Sequence, residues 1–469
     1  MAAPDRLAAT CIDMKRVWKE KTKSWKRWCH FQLLYVLAYL WRRLLFRTTF
    51  IAITGSVGKT TCKECIAAIL SAHLPTAKTL NNQNELHGVP RTILRVRPWH
   101  RFAVVEIATD RPGMIIRSAR LLRPGIAVVL GVAGTHTRVF PTLDDTAAEK
   151  ARLLDALSPE GLAILNADDP RVVRMAARSR SRVKTFGHCA GTDLRADAVS
   201  SKWPARLSLR VHTKSETQFV RTNLVGEHWV NSVLAALLAA ISCGIPLEAA
   251  ARGLGRVRPF MARIQPVLLP SGATILRDEA NGSLDTLNAA LQVLRESEAV
   301  RRVLVVSGFS DSRTNSRNRL RELGNIAART AGLAVFIGEH GRNAVRQAVA
   351  SGMKPECALS FTDLHGAARY LKSELRSGDL VLLKGRGNDH LSRVLFAQFG
   401  DIGCWKTNCR IRLVCDVCED LRPAFDLDSE LARSAAYLYG SAASLSPSPK
   451  KLNASTTTNT GTTGSINQG

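Results

Sequence analysis

Two rhythms of apolar residues run along this chain. Short β-branched runs predict buried strands at Thr48–Thr54 (TTFIAIT), Phe102–Ile107 (FAVVEI), Ile126–Leu130 and Leu162–Leu165, then again at Val303–Val306, Leu333–Ile337 and Asp379–Leu383. Between them, the stretch CKECIAAILSAH after Thr61, the stretch Ala147–Leu154 and the stretch Gly226–Ala236 have helical spacing. Ala205–His212 and Gln218–Leu224 alternate like the arms of a hairpin. Strands separated by helices define an α/β chain with mostly parallel sheets. The pattern changes after about Gly255, which predicts two successive units, 48–255 and 256–400.

The ends of the chain read differently. In residues 1–47 the most apolar run is Phe31–Trp41, closed by Arg42 and Arg43, with Trp18, Trp25, Trp28 and Trp41 spread along the segment. The run is shorter than the ~20 apolar residues that span a bilayer. It reads either as an interfacial helix whose cationic neighbours meet anionic headgroups, or as a helix that docks on the next unit and lends it core. Residues 441–469 are rich in Ser, Thr, Asn and Gly and read as a disordered tail.

Charge and cysteines refine this picture. The 469 residues carry 66 Lys and Arg against 39 acids, a formal charge of +27. Such a balance favours an anionic partner (nucleotide, nucleic acid, lipid or glycan) or else reflects a basic proteome. Of the eleven cysteines, seven are scattered and four cluster at Cys404, Cys409, Cys415 and Cys418, within 401–425. Four thiolates so close together predict a structural zinc site, with reduced structural thiols or disulfides as the other readings. The start, MAAPDRLAATCIDMKRVWKEK, has no apolar core of a secretory signal, so the expectation is a cytoplasmic chain with reduced thiols.

The chemistry begins directly after the first strand. Gly55-Ser56-Val57-Gly58-Lys59-Thr60-Thr61 leads into a helical stretch. Strand, glycine loop, Lys-Thr and helix is a phosphate-binding arrangement, because glycines let backbone N–H groups approach phosphate oxygens and the helix N-terminus adds partial positive charge. Lys59 is placed to reach the β- and γ-phosphates and Thr60 to ligate magnesium. The first unit therefore reads as a central phosphate-loop ATPase domain, and the second as a Rossmann-like α/β domain. Glu106, at the C-terminal end of its strand, faces the ligand crevice of such a sheet.

This shortened loop, TGSVGKTT, resembles that of the Mur ligases, ATP-dependent amide ligases of peptidoglycan precursor synthesis. Segments similar to that family, and most of all to its D-alanyl-D-alanine-adding subgroup, follow in order from Phe50 to about Gly400. Asn81–Pro90 resembles the subgroup's Asn-rich segment ending in Gly-Val-Pro. The resemblance implies that Glu106 and His136 belong to the magnesium site and that Lys150 is the lysine carbamylated in many members, a carbamate able to ligate a second magnesium or position the substrate. Gly226–Ala236 resembles an adenine-contacting helix, which implies nucleotide contacts from His228 and Asn231, although Trp229 and Ser232 stand where that pattern has Asn. Arg263 matches an arginine near the phosphates, Asp278 a ribose ligand, and Lys384-Gly385-Arg386 a turn facing the nucleotide or the amine. Only about fifty residues precede the loop, too few for the UDP-holding domain of that subgroup, which leaves the carboxylate substrate open.

The function implied is an ATP-dependent ligase joining a carboxylate to an amino-acid or peptide amine through an acyl phosphate, in cell-wall or envelope precursor synthesis. Its cofactors are ATP and Mg²⁺, with Zn²⁺ for the cysteine cluster. Its partners are a small-molecule or lipid-linked carboxylate, an amine, and an anionic membrane surface through residues 1–47, placing it in the cytoplasm or at the inner face of the membrane. A polyglutamate-type polymer ligase, a basic phosphate-loop ATPase and an inactive ligase-like scaffold are the alternatives.

Overall fold

The computed structural model describes residues 28–81, 83–134, 139–308, 316–407, 409 and 415–439. His136, the basic residues 1–27 and the tail 441–469 lie outside the described residues.

The β-branched runs become strands, and the strands form two sheets. The first contains β1 (Thr49–Thr54), β2 (Thr76–Lys78), β3 (Phe102–Glu106), β4 (Ile126–Val129), β5 (Leu162–Asn166), β6 (Arg182–Gly187), β7 (Leu194–Ser200), β8 (Ser208–His212) and β9 (Thr217–Arg221). Their order is β2-β3-β1-β4-β5-β6-β7-β8-β9. All pairs from β2 to β7 are parallel, and β7-β8-β9 closes the edge as an antiparallel meander that contains the expected hairpin. The second sheet contains β10 (Gln265–Leu268), β11 (Thr274–Asp278), β12 (Arg301–Val306), β13 (Leu333–Ile337), β14 (Ala358–Phe361) and β15 (Asp379–Lys384), in the order β10-β11-β15-β12-β13-β14. Only its β10–β11 pair is antiparallel.

Parallel strands are covered on both faces, so their sequences run apolar without alternation. All five residues of β3 and of β5 are buried. One core of the first sheet joins Ile51, Ile53, Val104 and Val128 to the helices Lys59–Ser71 and Val230–Ser242. The other face holds Phe50, Ala52, Val105 and Val129, and the N-terminal segment contributes to it through Ala38 and Leu45. Of the two readings of that segment, docking is therefore observed: residues 28–44 form a helix whose Phe31, Ala38 and flanking Leu45 are buried. Trp41 Nε1 donates to the Val96 carbonyl at 2.9 Å, and the Arg42 guanidinium donates to Leu122 O at 2.6 Å while lying 4.1 Å over the Phe50 ring. Among the described residues, no helix is long and apolar enough to cross a membrane.

The cysteine-rich stretch does not assemble the expected zinc site among the described residues. Cys404 and Cys415 are buried and Cys409 and Cys418 half-buried. Among the described residues, no group of three or more His, Cys, Asp or Glu side chains converges as a metal site. What fastens this stretch is apolar packing and one buried cation. Ile402, Cys415, Leu421 and Leu427 join the core of the second sheet. The fully buried Arg277 of β11 donates to Asp416 at 2.6 and 3.0 Å and to Glu279 at 2.9 and 2.5 Å. Beyond it the helix Leu427–Tyr439 returns to β10, where Leu268 N donates to Ser434 Oγ at 2.7 Å.

Candidate active site

The order β3-β1-β4 brings the C-terminal ends of three parallel strands together, the usual place for a ligand in an open α/β sheet. The glycine loop leaves β1 there. Gly55 and Gly58 have φ of 151° and 86°, a region side chains disfavour. A Cβ at Gly58 would stand 2.6 Å from Ser232 Oγ. Ser232 in turn donates to Gly58 O at 3.2 Å, so the helix Val230–Ser242 buttresses the loop. The backbone N–H groups at the start of Lys59–Ser71 have no acidic side chain in the first turn to cap them. That suits a phosphate.

Lys59 is half-buried beneath the loop, its Nζ donating to Gly55 O at 2.7 Å and Ser56 O at 3.2 Å. Burial lowers its pKa, Glu106 opposes this, and Arg263 adds to it. Thr60 Oγ1 donates to Glu106 Oε2 at 2.9 Å. A hydroxyl and a carboxylate at this spot are the hard oxygen donors that suit Mg²⁺, whose remaining positions go to phosphate and water. Asn84, from the Asn-rich segment, donates to Glu106 Oε1 at 2.6 Å and fixes the other half of that carboxylate. The sequence reading assigned the segment to the family without giving Asn84 this task.

Lys150 enters from a helix with a well-formed start. Thr142 Oγ1 accepts from Asp145 N at 3.0 Å, and the Asp145 carboxylate accepts from Thr142 N at 3.0 Å, a reciprocal cap. Glu149 accepts from Gly113 N at 2.9 Å and Ile115 N at 3.1 Å, tying this helix to the start of Met114–Leu122. Its neighbour Lys150 is thereby held in the cleft with Met114. Burial, with the nearby charge of Lys59, lowers Lys150 to about 7. A lysine that is largely neutral at physiological pH can attack CO₂.

The second unit supplies the opposite wall. Asp278, at the end of β11, accepts from Lys384 Nζ at 2.5 Å, and Lys384, at the end of β15, also donates to Asn281 O at 2.7 Å and Thr286 Oγ1 at 3.1 Å. His228 is brought down to about 3 by burial and by Lys384, which keeps its imidazole neutral. Together these residues line one cleft of about 440 Å³ between the two sheets. It is lined by the loop from Gly55 to Thr61 and by Glu106, Lys150, His228, Arg263 and Asp278. Asn231 is not among the lining residues; its place is taken by Trp229, whose indole N–H has no partner. Asn281, which follows Asp278 in the family-like segment, also lines the cleft, as do Glu85 and Asp110, to which the sequence reading assigned no role. Arg277 faces away from it, because successive side chains of β11 alternate and Asp278 holds the cleft side.

A two-sheet protein with a phosphate loop, an oxygen pair for Mg²⁺ and a buried lysine beside them is an ATP-using enzyme with its site between domains. The Mur ligase middle-domain family matches residues 53–240, and the Mur ligase glutamate-ligase domain family matches 262–387. The chain is 30% identical over 377 residues to the UDP-N-acetylmuramoyl-tripeptide–D-alanyl-D-alanine ligase of Mycobacterium tuberculosis (strain CDC 1551 / Oshkosh), covering 76% of this chain and 74% of that enzyme. It is 32% identical over 296 residues to the ligase of the same name from Escherichia coli (strain K12), covering 62% and 65%. Its fold matches a crystal structure of MurF from Acinetobacter baumannii with a TM-score of 0.72 at 25% identity, covering 78% of this chain and 80% of that one. It also matches the MurF ligase of Thermotoga maritima in complex with ADP, with a TM-score of 0.67 at 22% identity, covering 78% and 82%. The chain belongs to the Mur ligase family, enzymes that form peptide bonds with ATP in peptidoglycan precursor synthesis.

Proposed function

We propose that this cleft activates a peptide carboxylate with ATP and joins it to the amine of an amino acid or dipeptide, the reaction class carried by the names of its relatives. The observation that carries this reading is the convergence of Lys59, the Thr60–Glu106 pair, Lys150 and His228 from one unit with Asp278 and Arg263 from the other. The loop and Lys59 hold the triphosphate, and Lys59 neutralises charge on the phosphoryl group as it moves to the carboxylate. Thr60 and Glu106 would hold Mg²⁺, which would supply charge neutralisation to the triphosphate. Asn84 keeps the Glu106 carboxylate turned toward that position. Asp278 and His228 receive the nucleoside, the neutral imidazole accepting or donating one hydrogen bond without added charge.

Lys150, as a carbamate, would hold a second metal or position the carboxylate. A carboxylate oxygen attacks the γ-phosphorus and its bond to ADP breaks; the amine then attacks the acyl carbon, gives up a proton to solvent, and the C–O bond to phosphate breaks to leave amide and phosphate. Positioning supplies most of the rate, since two substrates and ATP must align in one cleft. The test measures ADP release with UDP-linked tripeptide and D-alanyl-D-alanine, with a lipid-linked acceptor as a second arm. ADP release requiring both a carboxylate and an amine supports the reading; release indifferent to both, or none with any pair, removes it.

A further inference from the structure

The helix over residues 28–44 has two apolar faces, and the fold uses one. Phe31, Ala38 and, just past its end, Leu45 point into the first domain. On the opposite side Leu33, Leu37, Leu40 and Leu44 recur at steps of four, three and four and are 59%, 47%, 54% and 62% exposed. Val36 widens this stripe, and Phe46 (80% exposed) extends it past the helix end. Trp99 (66% exposed) stands at the same corner, because Thr48 Oγ1 donates to His100 O at 2.7 Å and Thr49 N to Arg101 O at 2.9 Å. Monomeric proteins rarely leave so continuous a set of large apolar side chains in water.

The charges around this stripe select its occupant. Arg43, Arg47, Arg97 and Arg101 are exposed at its edges, and the Arg43 guanidinium lies 4.5 Å over the Tyr39 ring. The preceding residues 1–27 add eight Lys and Arg against three acids, with Trp18 and Trp25. An exposed leucine stripe flanked by arginines and aromatic rings is what an interfacial helix offers to a lipid surface. Two copies of this chain meeting through the stripe would bring those arginines together without counter-charge.

We propose that this outer face seats the enzyme on an anionic bilayer, with the helix lying in the plane of the interface and Arg43 and Arg47 meeting lipid phosphates. The inner face keeps the helix fixed to the first domain, so the whole protein is held at the surface. This inference does not depend on the ligase chemistry.

The test is co-sedimentation of the full chain with vesicles of phosphatidylcholine alone and of phosphatidylcholine with phosphatidylglycerol, at low and high salt. Binding is expected to the anionic vesicles only and to weaken with salt. Leu37→Glu/Leu40→Glu should lower partitioning at least about tenfold, with the thermal midpoint unchanged, because neither side chain meets the core. Leu33→Gln/Leu44→Gln provides a second, milder variant with the same expectation. Absence of wild-type binding, equal binding to neutral vesicles, or equal binding by both variants overturns the proposal. So does a wild-type dimer in sedimentation velocity that either variant converts to monomer without changing vesicle binding.

Discussion

Lys59 and Lys150 are two lysines in one cleft, and their different environments argue for different tasks. Lys59 is surrounded by loop carbonyls and is proposed to act as a cation. Lys59→Ala should lower ATP turnover by roughly 100-fold or more while the protein still melts cooperatively. Normal turnover in the folded variant would contradict its role. Lys150 is brought down to about 7 and is proposed to act only after it loses its proton. Below that pH the ammonium has no lone pair for CO₂, so activity in CO₂-depleted buffer should fall as pH drops through about 7 and recover on adding bicarbonate. Lys150→Ala should be inactive and partly rescued by short carboxylic acids; activity indifferent to bicarbonate and to the mutation would leave Lys150 as an ordinary buried side chain. In CO₂-free buffer the same lysine bears on stability. Between about 7 and its ordinary 10.5 the folded state is neutral while the unfolded chain is protonated, so stability should rise with pH across that window. Denaturant melts of wild type and Lys150→Met measure the difference in slope.

At the scale of elements, strands buried on both faces were the most legible. β1, β3, β4, β12, β13 and β15 lie within a residue or two of where their apolar runs place them. β6 was not, because four of its six residues are partly or fully exposed and its Arg182-Val-Lys-Thr carries no apolar run. The phosphate loop was legible because its conformation needs glycine. Gly58→Ala puts a Cβ at φ of 86° and against Ser232, and should lower stability by about 1–3 kcal/mol and weaken ADP binding measured by calorimetry. The Gly58→Ala/Ser232→Ala double variant should relieve only the contact. Asn84 was not legible as a partner of Glu106, since a side-chain pair 22 residues apart depends on how the Asn-rich loop packs. Asn231 was misplaced for a similar reason: a short 3-10 turn over Glu227–Trp229 precedes the helix and sets which side chains reach the cleft. The cysteine cluster misled because thiol spacing resembles a metal site, whereas the stretch is held by Arg277 and Asp416. Asp416→Ala leaves the Arg277 guanidinium buried with one carboxylate and should cost about 3–5 kcal/mol in urea unfolding. A chelator should leave the midpoint where it is; a chelator-induced loss would restore the metal reading.

Across the whole molecule, both sheets turn the C-terminal ends of parallel strands toward one cleft. β1 and β3 present the loop and Glu106, while β11 presents Asp278, held from behind by the buried Lys384 of β15. Neither unit alone holds both the phosphate loop and the Asp278–Lys384 wall, so the account makes both necessary for transfer. The basic charge of the chain does not settle its substrate. The central claim is that ATP is spent only to join a carboxylate to an amine. It is tested most directly by following ADP and amide together, with Mg²⁺ and bicarbonate present, across carboxylate-only, amine-only and paired mixtures. The account predicts ADP and amide in equal amounts in the paired mixture and neither amide nor sustained ADP release when one substrate is omitted. Sustained ADP release without amide, at the same rate in every mixture, would contradict it.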